Sequence, residues 1–299
     1  MGRPDLPTDV TPAEHTAGPG EATPEEMERA VSGLVTATGP LRHVEVHSVL
    51  PSTNSLALED GREGLLVVAL EQTLGRGRHG SQWASPPGGL YLTYAPPSPM
   101  VPPRPTDLSL LAAMATADAV ESSLARSGAA GVRALLKWPN DVMVGDGKVA
   151  GVLVQSRALA QPGPGGGPSP HRVVIGVGVN VNARVVLDEA IREDEWPVGP
   201  RSLAELTPGP VDPRSLMGDL VAGLLRRTGA GLDQDALEEY RSRCHTLGKR
   251  VAFTEGGERR VGTALDVSDE DGALLVRLEG GKVVRVTAGE VRHVRAVQG

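Results

Sequence analysis

Aromatic side chains are nearly missing from this sequence, with one Phe, three Tyr and three Trp among 299 residues. A core of ordinary size must therefore be assembled from Val, Leu and Ala, and the position of each aromatic becomes informative. Cysteine is just as scarce. The single Cys244 excludes an internal disulfide framework and a thiolate-cluster zinc site, and reads as a reduced thiol at the end of a helix. No run approaches the 18 or more apolar residues of a membrane span. The N-terminus lacks the basic start and apolar stretch of a secretory signal. These absences lead to the expectation of a cytoplasmic protein with no membrane partner.

Nor is there an excess of basic charge. The formal net charge of −7 argues against a chain that coats nucleic acid. Its distribution is uneven: Asp5, Asp9, Glu14, Glu21, Glu25 and Glu26 face only Arg3 within the first 26 residues, and the rest is close to neutral. With five prolines and almost no large apolar side chains, residues 1–26 are expected to be a disordered acidic tail.

Beyond the tail the patterning is mixed. Thr23-Pro24-Glu25-Glu26 has the signature of a helix start. Short apolar runs at 44–50, 65–70, 90–94, 132–137, 142–144, 149–156 and 173–181 predict strands, with Gly145-Asp146-Gly147 turning one into the next. Apolar residues at helical spacing predict helices over 107–127, 213–229 and 233–246. Gln161–Pro170, almost pure Pro and Gly, predicts a flexible loop. From Gly248 short strands at 251–253, 260–267, 273–278 and 282–286, joined by Gly-Gly and Asp-Glu-Asp-Gly turns, predict a small all-β module. Residues 27–246 are thus expected to form an α+β domain and 247–299 a C-terminal β domain.

Three segments carry chemistry. In Gln72–Trp83, Gly75, Gly77 and Gly80 let backbone approach a ligand, and Arg76 and Arg78 supply fork-shaped donors for a phosphate or carboxylate. Ser85-Pro86-Pro87-Gly88-Gly89 follows in place of a helix, so this is not a dinucleotide fingerprint. Taken alone, the segment reads equally well as an exposed basic hairpin. The second is Lys137-Trp138-Pro139-Asn140-Asp141 with Lys148. A hairpin there brings Asp141 and Lys148 to one mouth, although a plain surface ion pair has the same spacing. The third is Gly176-Val177-Gly178-Val179-Asn180, where in-strand glycines mark either a close ligand or a packed bulge. Ser52-Thr53-Asn54 by itself is an N-cap for the helix holding Leu56 and Leu58.

Taken in order, these segments resemble the biotin–protein ligase family over roughly residues 43–295. Gly75-Arg76-Gly77-Arg78-His79-Gly80 followed by Trp83 is similar to the family's adenylate-binding loop. Lys137-Trp138-Pro139-Asn140-Asp141 with Lys148 and Gly151 is similar to its second signature. The resemblance implies a mixed β-sheet with packed helices, of the class II synthetase-like biotin–lipoate ligase type, followed by a small SH3-like β-barrel. It implies ATP and Mg²⁺ as cofactors, biotin as substrate and the carrier domain of an acyl-CoA carboxylase as partner. Ser52, Thr53, Asn54 and Gln72 are then expected around the biotin ureido ring. Arg76, Gly77, Arg78 and Lys148 are expected at the biotin carboxylate and α-phosphate. Gly75, Gly80, Trp83, Lys137, Asn140 and Asn180 fall on the adenylate side, with Asp141 near the acceptor lysine. No metal ligand is assigned. Ser81 departs from the pattern, because the family commonly has arginine there, and this bears on closure of the loop.

The implied reaction forms biotinyl-AMP and pyrophosphate, then transfers biotin to the carrier lysine. The rivals are a lipoate or octanoate ligase or transferase of the same superfamily, and a non-catalytic biotin-binding module. Only about forty residues precede the catalytic region, and the first 26 are acidic and Pro-rich; neither the length nor the charge suits a DNA-binding domain, so a monofunctional ligase without specific DNA binding is expected. The oligomeric state is not legible. Four of the seven aromatics (Trp83, Tyr91, Tyr94, Trp138) lie in or just after the signatures, and a flat-ligand site is the expected reason for at least the two Trp.

Overall fold

A computed structural model describes residues 20, 22–101, 104–158, 171–185, 199–287 and 291–293. The strands β1 (His43–Leu50), β2 (Leu65–Gln72), β3 (Leu90–Ala95), β4 (Ala134–Lys137), β5 (Asp141–Val144), β6 (Gly147–Ala158) and β7 (His171–Val179) form one seven-stranded sheet. Its spatial order is β1-β2-β3-β7-β6-β5-β4. Only β1 and β2 run parallel, through the crossover helix α2 (Thr53–Asp60); every other neighbouring pair is antiparallel.

The sheet is covered unequally. The first five residues of β2 are all buried, as a strand covered on both faces requires. Leu66 and Val68, with Leu90, Leu92 and Tyr94, belong to the main core beneath α3 (Pro105–Arg126), which packs against α4 (Pro213–Ala230). Leu65, Val67, Ala95 and Val174 face the other way, onto Ala57 of α2, in a much smaller cluster. The short α2 leaves most of that face without helical cover. Helix α3 is long and apolar enough to cross a membrane by composition, but most of it is buried in this core.

Helix α1 (Pro24–Val31) begins inside the segment expected to be disordered. Thr23 and Glu26 form a reciprocal capping box, Pro24 sits in the first turn, and Met27 and Val31 are fully buried. Two buried apolar side chains and a satisfied cap order this stretch. The remainder of the acidic tail, apart from Gly20 and Ala22, lies outside the described residues. So does the predicted loop Gln161–Pro170.

Helix α5 (Gln234–Arg243) stops three residues before its expected end. The chain turns extended at Cys244 and runs beside β4, where His245 N donates to Leu136 O at 2.7 Å and Trp138 N to Thr246 Oγ1 at 2.9 Å. Covering the polar edge of β4 outweighs one more helical turn. Cys244 is buried there, and burial pushes its thiol up to about 11, as suits an inert cysteine.

The strands β8 (Arg250–Glu255), β9 (Glu258–Val267), β10 (Leu274–Leu278), β11 (Val283–Val286) and β12 (Arg292–His293) form a second, antiparallel sheet in the order β11-β10-β9-β8-β12. The mixed sheet with packed helices and the small C-terminal sheet are the expected fold class.

Candidate active site

The under-covered face of the seven-stranded sheet holds a cavity of about 750 Å³. Its floor is a row of glycines. Gly176 of β7 is flanked in register by Thr93 of β3 and Leu153 of β6, and Gly178 pairs with Gly151. A Cβ on Gly176 would lie 2.0 Å from Asn54 Oδ1, and one on Gly178 would lie 2.5 Å from Trp83 Nε1. A Cβ on Gly151 would come within 2.9 Å of the same indole. The in-strand glycines therefore make a trough into which Asn54 and Trp83 descend; there is no bulge at this point in the ladder.

One end of the cavity is polar and neutral. Ser52 caps α2, its Oγ accepting from Ser55 N at 3.4 Å, so Thr53 and Asn54 stand in the first turn, pointing at the sheet. Thr53 donates its N–H to Gln72 Oε1 at 2.9 Å, with its hydroxyl 3.1 Å from the same oxygen, and Gln72 Nε2 donates to Ser85 Oγ at 2.9 Å. Thr93 Oγ1 lies 2.8 Å from Thr53 Oγ1 and 2.6 Å from Asn54 Oδ1. By inventory, the Ser52 hydroxyl proton and the second Gln72 amide proton stay available as donors. Lone pairs on Thr53 Oγ1 and Asn54 Oδ1 stay available as acceptors.

The other end is cationic. Lys148 Nζ lies 2.7 Å from Asp141 Oδ1 and 4.9 Å from the centre of the Trp83 ring, and Lys137 Nζ lies 3.5 Å from Asp141 Oδ2. The register that opposes Asp141 to Lys137 and to Gly151 brings all three charges to one mouth. Burial alone would raise the Asp141 carboxyl, but Lys148 and Lys137 overcome it and hold it below the usual carboxylate range. Arg78 Nη1 donates to Asn140 Oδ1 at 3.2 Å, while Asn140 Nδ2 donates to Val152 O at 2.8 Å. Arg76 stands exposed. Asn180 is buried and donates to the Lys148 carbonyl at 3.3 Å.

The glycine-rich loop folds on itself between these ends. Gly77 N donates to Ser81 O, and Ser81 Oγ donates to Arg78 O at 2.8 Å. Ser81 thus holds the turn. Gly75 is dictated by its own surroundings, since a Cβ there would lie 2.3 Å from Trp83 O.

Of the residues expected around biotin, the adenylate and the acceptor lysine, all but Gly75 line this cavity. Trp138 needs correction as a ligand platform. It borders the cavity but is only 1 % exposed, belongs to the main core, and donates its Nε1 to Gly272 O at 2.9 Å. Tyr91 and Tyr94 are buried as well. Of the four aromatics near the signatures, Trp83 alone lies across the trough. Sequence reasoning missed Thr93, Ser85 and Gln155. Each is an ordinary polar residue distant in the chain from its partner, and no local pattern marks it.

Residues 46–180 match the biotin/lipoate A/B protein ligase family, and residues 246–294 match the biotin protein ligase C-terminal domain. The biotin–[acetyl-CoA-carboxylase] ligase of Mycobacterium tuberculosis is 33% identical over 271 residues, covering 88% of this chain and 93% of that protein. The enzyme of the same name from Paracoccus denitrificans is 34% identical over 247 residues, covering 80% and 96%. Among solved structures, the biotin protein ligase from Aquifex aeolicus in complex with biotin and ATP superposes with a TM-score of 0.68 at 24% identity, over 86% of this chain and all of that one. A shared fold, a match on both of its parts and near full-length relatives lead to one conclusion: this chain belongs to the biotin–protein ligase family.

Proposed function

We propose that the protein is an ATP-dependent biotin–protein ligase, which activates biotin to biotinyl-5′-AMP and transfers it to a lysine of a biotin carboxyl carrier domain. The observation that carries the reading is the pairing, in one cavity, of a neutral polar end with a cationic end. A cyclic urea has one carbonyl acceptor and two N–H donors. The donors left on Ser52 and Gln72 and the acceptors left on Thr53 and Asn54 match that set. A lipoyl dithiolane offers no such groups and would leave these buried atoms unpaired, which a site built for hydrogen bonding rejects strongly.

In the first step a biotin carboxylate oxygen attacks the α-phosphorus of ATP, the α–β bridging bond breaks, and pyrophosphate leaves. Both reactants are anions, so cations must offset their repulsion. Lys148, Arg76 and Arg78 surround the position where charge gathers. In the second step a neutral lysine amine of the carrier attacks the mixed anhydride, AMP leaves with the bonding electrons, and the new amide nitrogen gives up its extra proton to the departing phosphate or to water. Asp141, held ionised by two ammonium groups, is a poor proton acceptor; its part is to place Lys148 and Lys137. Asn180 adds to this by holding the Lys148 carbonyl.

Among the described residues no three of His, Cys, Asp and Glu gather as a metal cage. Mg²⁺ fits this reading as the counter-ion of the triphosphate, which with water supplies most of its ligands. ATP consumption and a single buried thiol suit a reducing, ATP-supplied compartment, the cytoplasm.

The test is pyrophosphate release with ATP, Mg²⁺ and either biotin or lipoate, followed by transfer of labelled biotin to a carrier domain. Biotin-dependent release with transfer is expected. Release with lipoate alone would assign the protein to the lipoate branch, and biotin binding without release would make it a non-catalytic module.

A further inference from the structure

The polar end of the cavity depends on which way the amide of Asn54 faces, and the surrounding strands decide that. Asn54 is 5 % exposed and lies over Gly176, between β3 and β6. On the β6 side Nδ2 is 3.2 Å from Leu153 O and 2.8 Å from Gln155 Oε1. A peptide carbonyl can only accept, so the NH₂ group must face Leu153, and both amide protons are then spent on β6. Oδ1 is left facing β3, where the fully buried Thr93 hydroxyl stands at 2.6 Å. Its single proton goes to Asn54 Oδ1, which can only accept, and at the 2.8 Å contact between the two hydroxyls Thr53 donates to Thr93 Oγ1. The second lone pair of Asn54 Oδ1 is then the only hydrogen-bonding capacity of this side chain still open to the cavity, and it is an acceptor.

Resting on the biotin-ligase reading, we propose that Thr93 and Gln155 are positioning residues: acting through Asn54, they make the polar end of the cavity select for an N–H donor on the bound ring. Neither residue reaches the ligand. Thr93 holds the amide oxygen, Gln155 with the Leu153 carbonyl holds the amide nitrogen, and Gly176 supplies the space. An amide freed from this clamp turns its NH₂ toward the cavity for part of the time and presents a donor where the ligand also presents one. The loss falls on recognition of the ring and spares the cationic end, where the nucleotide reacts.

The experiment is biotin-dependent ATP–pyrophosphate exchange by the full chain. Thr93→Val keeps the shape of the side chain and removes the hydroxyl. It is expected to raise the biotin KM about tenfold, leaving the ATP KM and kcat at saturating biotin near wild type. Thr93→Ser is expected to restore the biotin KM. In an Asn54→Ala background Thr93→Val is expected to lose most of its effect, because only its contact with the Thr53 hydroxyl then remains as a route to the polar end. Gln155→Leu removes the clamp from the half-buried side and is expected to raise the same KM, which keeps the test decisive if Thr93→Val does not fold. A wild-type biotin KM in both single variants, or an undiminished effect of Thr93→Val without Asn54, overturns the clamp while leaving the ligase reading intact. A wild-type chain without biotin-dependent exchange overturns the ligase reading, and the donor assignment falls with it.

Discussion

At the scale of single residues the site separates two kinds of work. The neutral end recognises by unspent lone pairs and protons, and the cationic end neutralises. Lys148 is central to the second, being 2.7 Å from Asp141 and stacked over Trp83. Its removal takes a preorganised cation from the point where two anions meet. Lys148→Ala is expected to lower biotin-dependent pyrophosphate release about a hundredfold; undiminished release would remove Lys148 from the mechanism. Asp141 bears on stability as well. Its folded-state pKa lies below that of the unfolded chain, so the ionised carboxyl stabilises the fold above the ordinary carboxylate range. That contribution is lost as pH falls through the depressed value. Asp141→Asn, which strands two lysines in a half-buried place, is expected to cost about 3 kcal/mol at neutral pH. Urea denaturation at pH 7 and in the acid range should show the deficit shrinking as the wild-type carboxyl protonates.

At the scale of elements the argument concerns how α5 is tied to the domain. Arg243, at the end of this helix, is buried and donates to Ala134 O of β4. It also pairs with Asp118 and Glu121 of α3. Arg227 of α4 shares Asp118 and also bonds Glu239 of α5. Four elements thus meet on one ionic cluster beside an aliphatic core. Such a cluster is worth little when intact relative to apolar packing, but costly when half removed. Arg243→Met is expected to destabilise the protein by about 3 kcal/mol, read as a lowered urea midpoint with unchanged slope. Because β4 leads directly into Lys137 and Asp141, the same variant is expected to weaken adenylation more than biotin binding.

At the scale of the whole molecule the second signature segment is also where the two sheets join. Trp138 N donates to Thr246 in the connecting segment, and its indole donates to Gly272 in the turn before β10. Nearby, Arg104 reaches Asp269 O, and Arg241 reaches Val267 O and pairs with Asp266. Trp138→Phe keeps an aromatic ring but removes the indole N–H and leaves part of a fully buried site unfilled, at an expected cost of about 2–4 kcal/mol. Hydrogen exchange is expected to quicken at residues 268–274 more than in β9. Uniform quickening across both sheets would show that the indole bond does not localise this junction.

Much of this protein was legible in its sequence, because the relevant physics is local. Apolar runs and glycine-rich turns place nearly every strand, periodic apolar residues place α3, α4 and α5, and the order of the short motifs identifies the family and most of the cavity's lining. Three things were decided only by tertiary structure. The acidic tail ends earlier than its composition suggests, because Met27 and Val31 find buried partners. Trp138 belongs to the core, since the turn at Gly272 lies against it. Asn54 owes its orientation to Thr93 and Gln155, 39 and 101 residues away. The scarcity of aromatics made each one informative without revealing which face of which strand it occupies. That depends on sheet register, which long-range pairing sets and no local window of sequence contains.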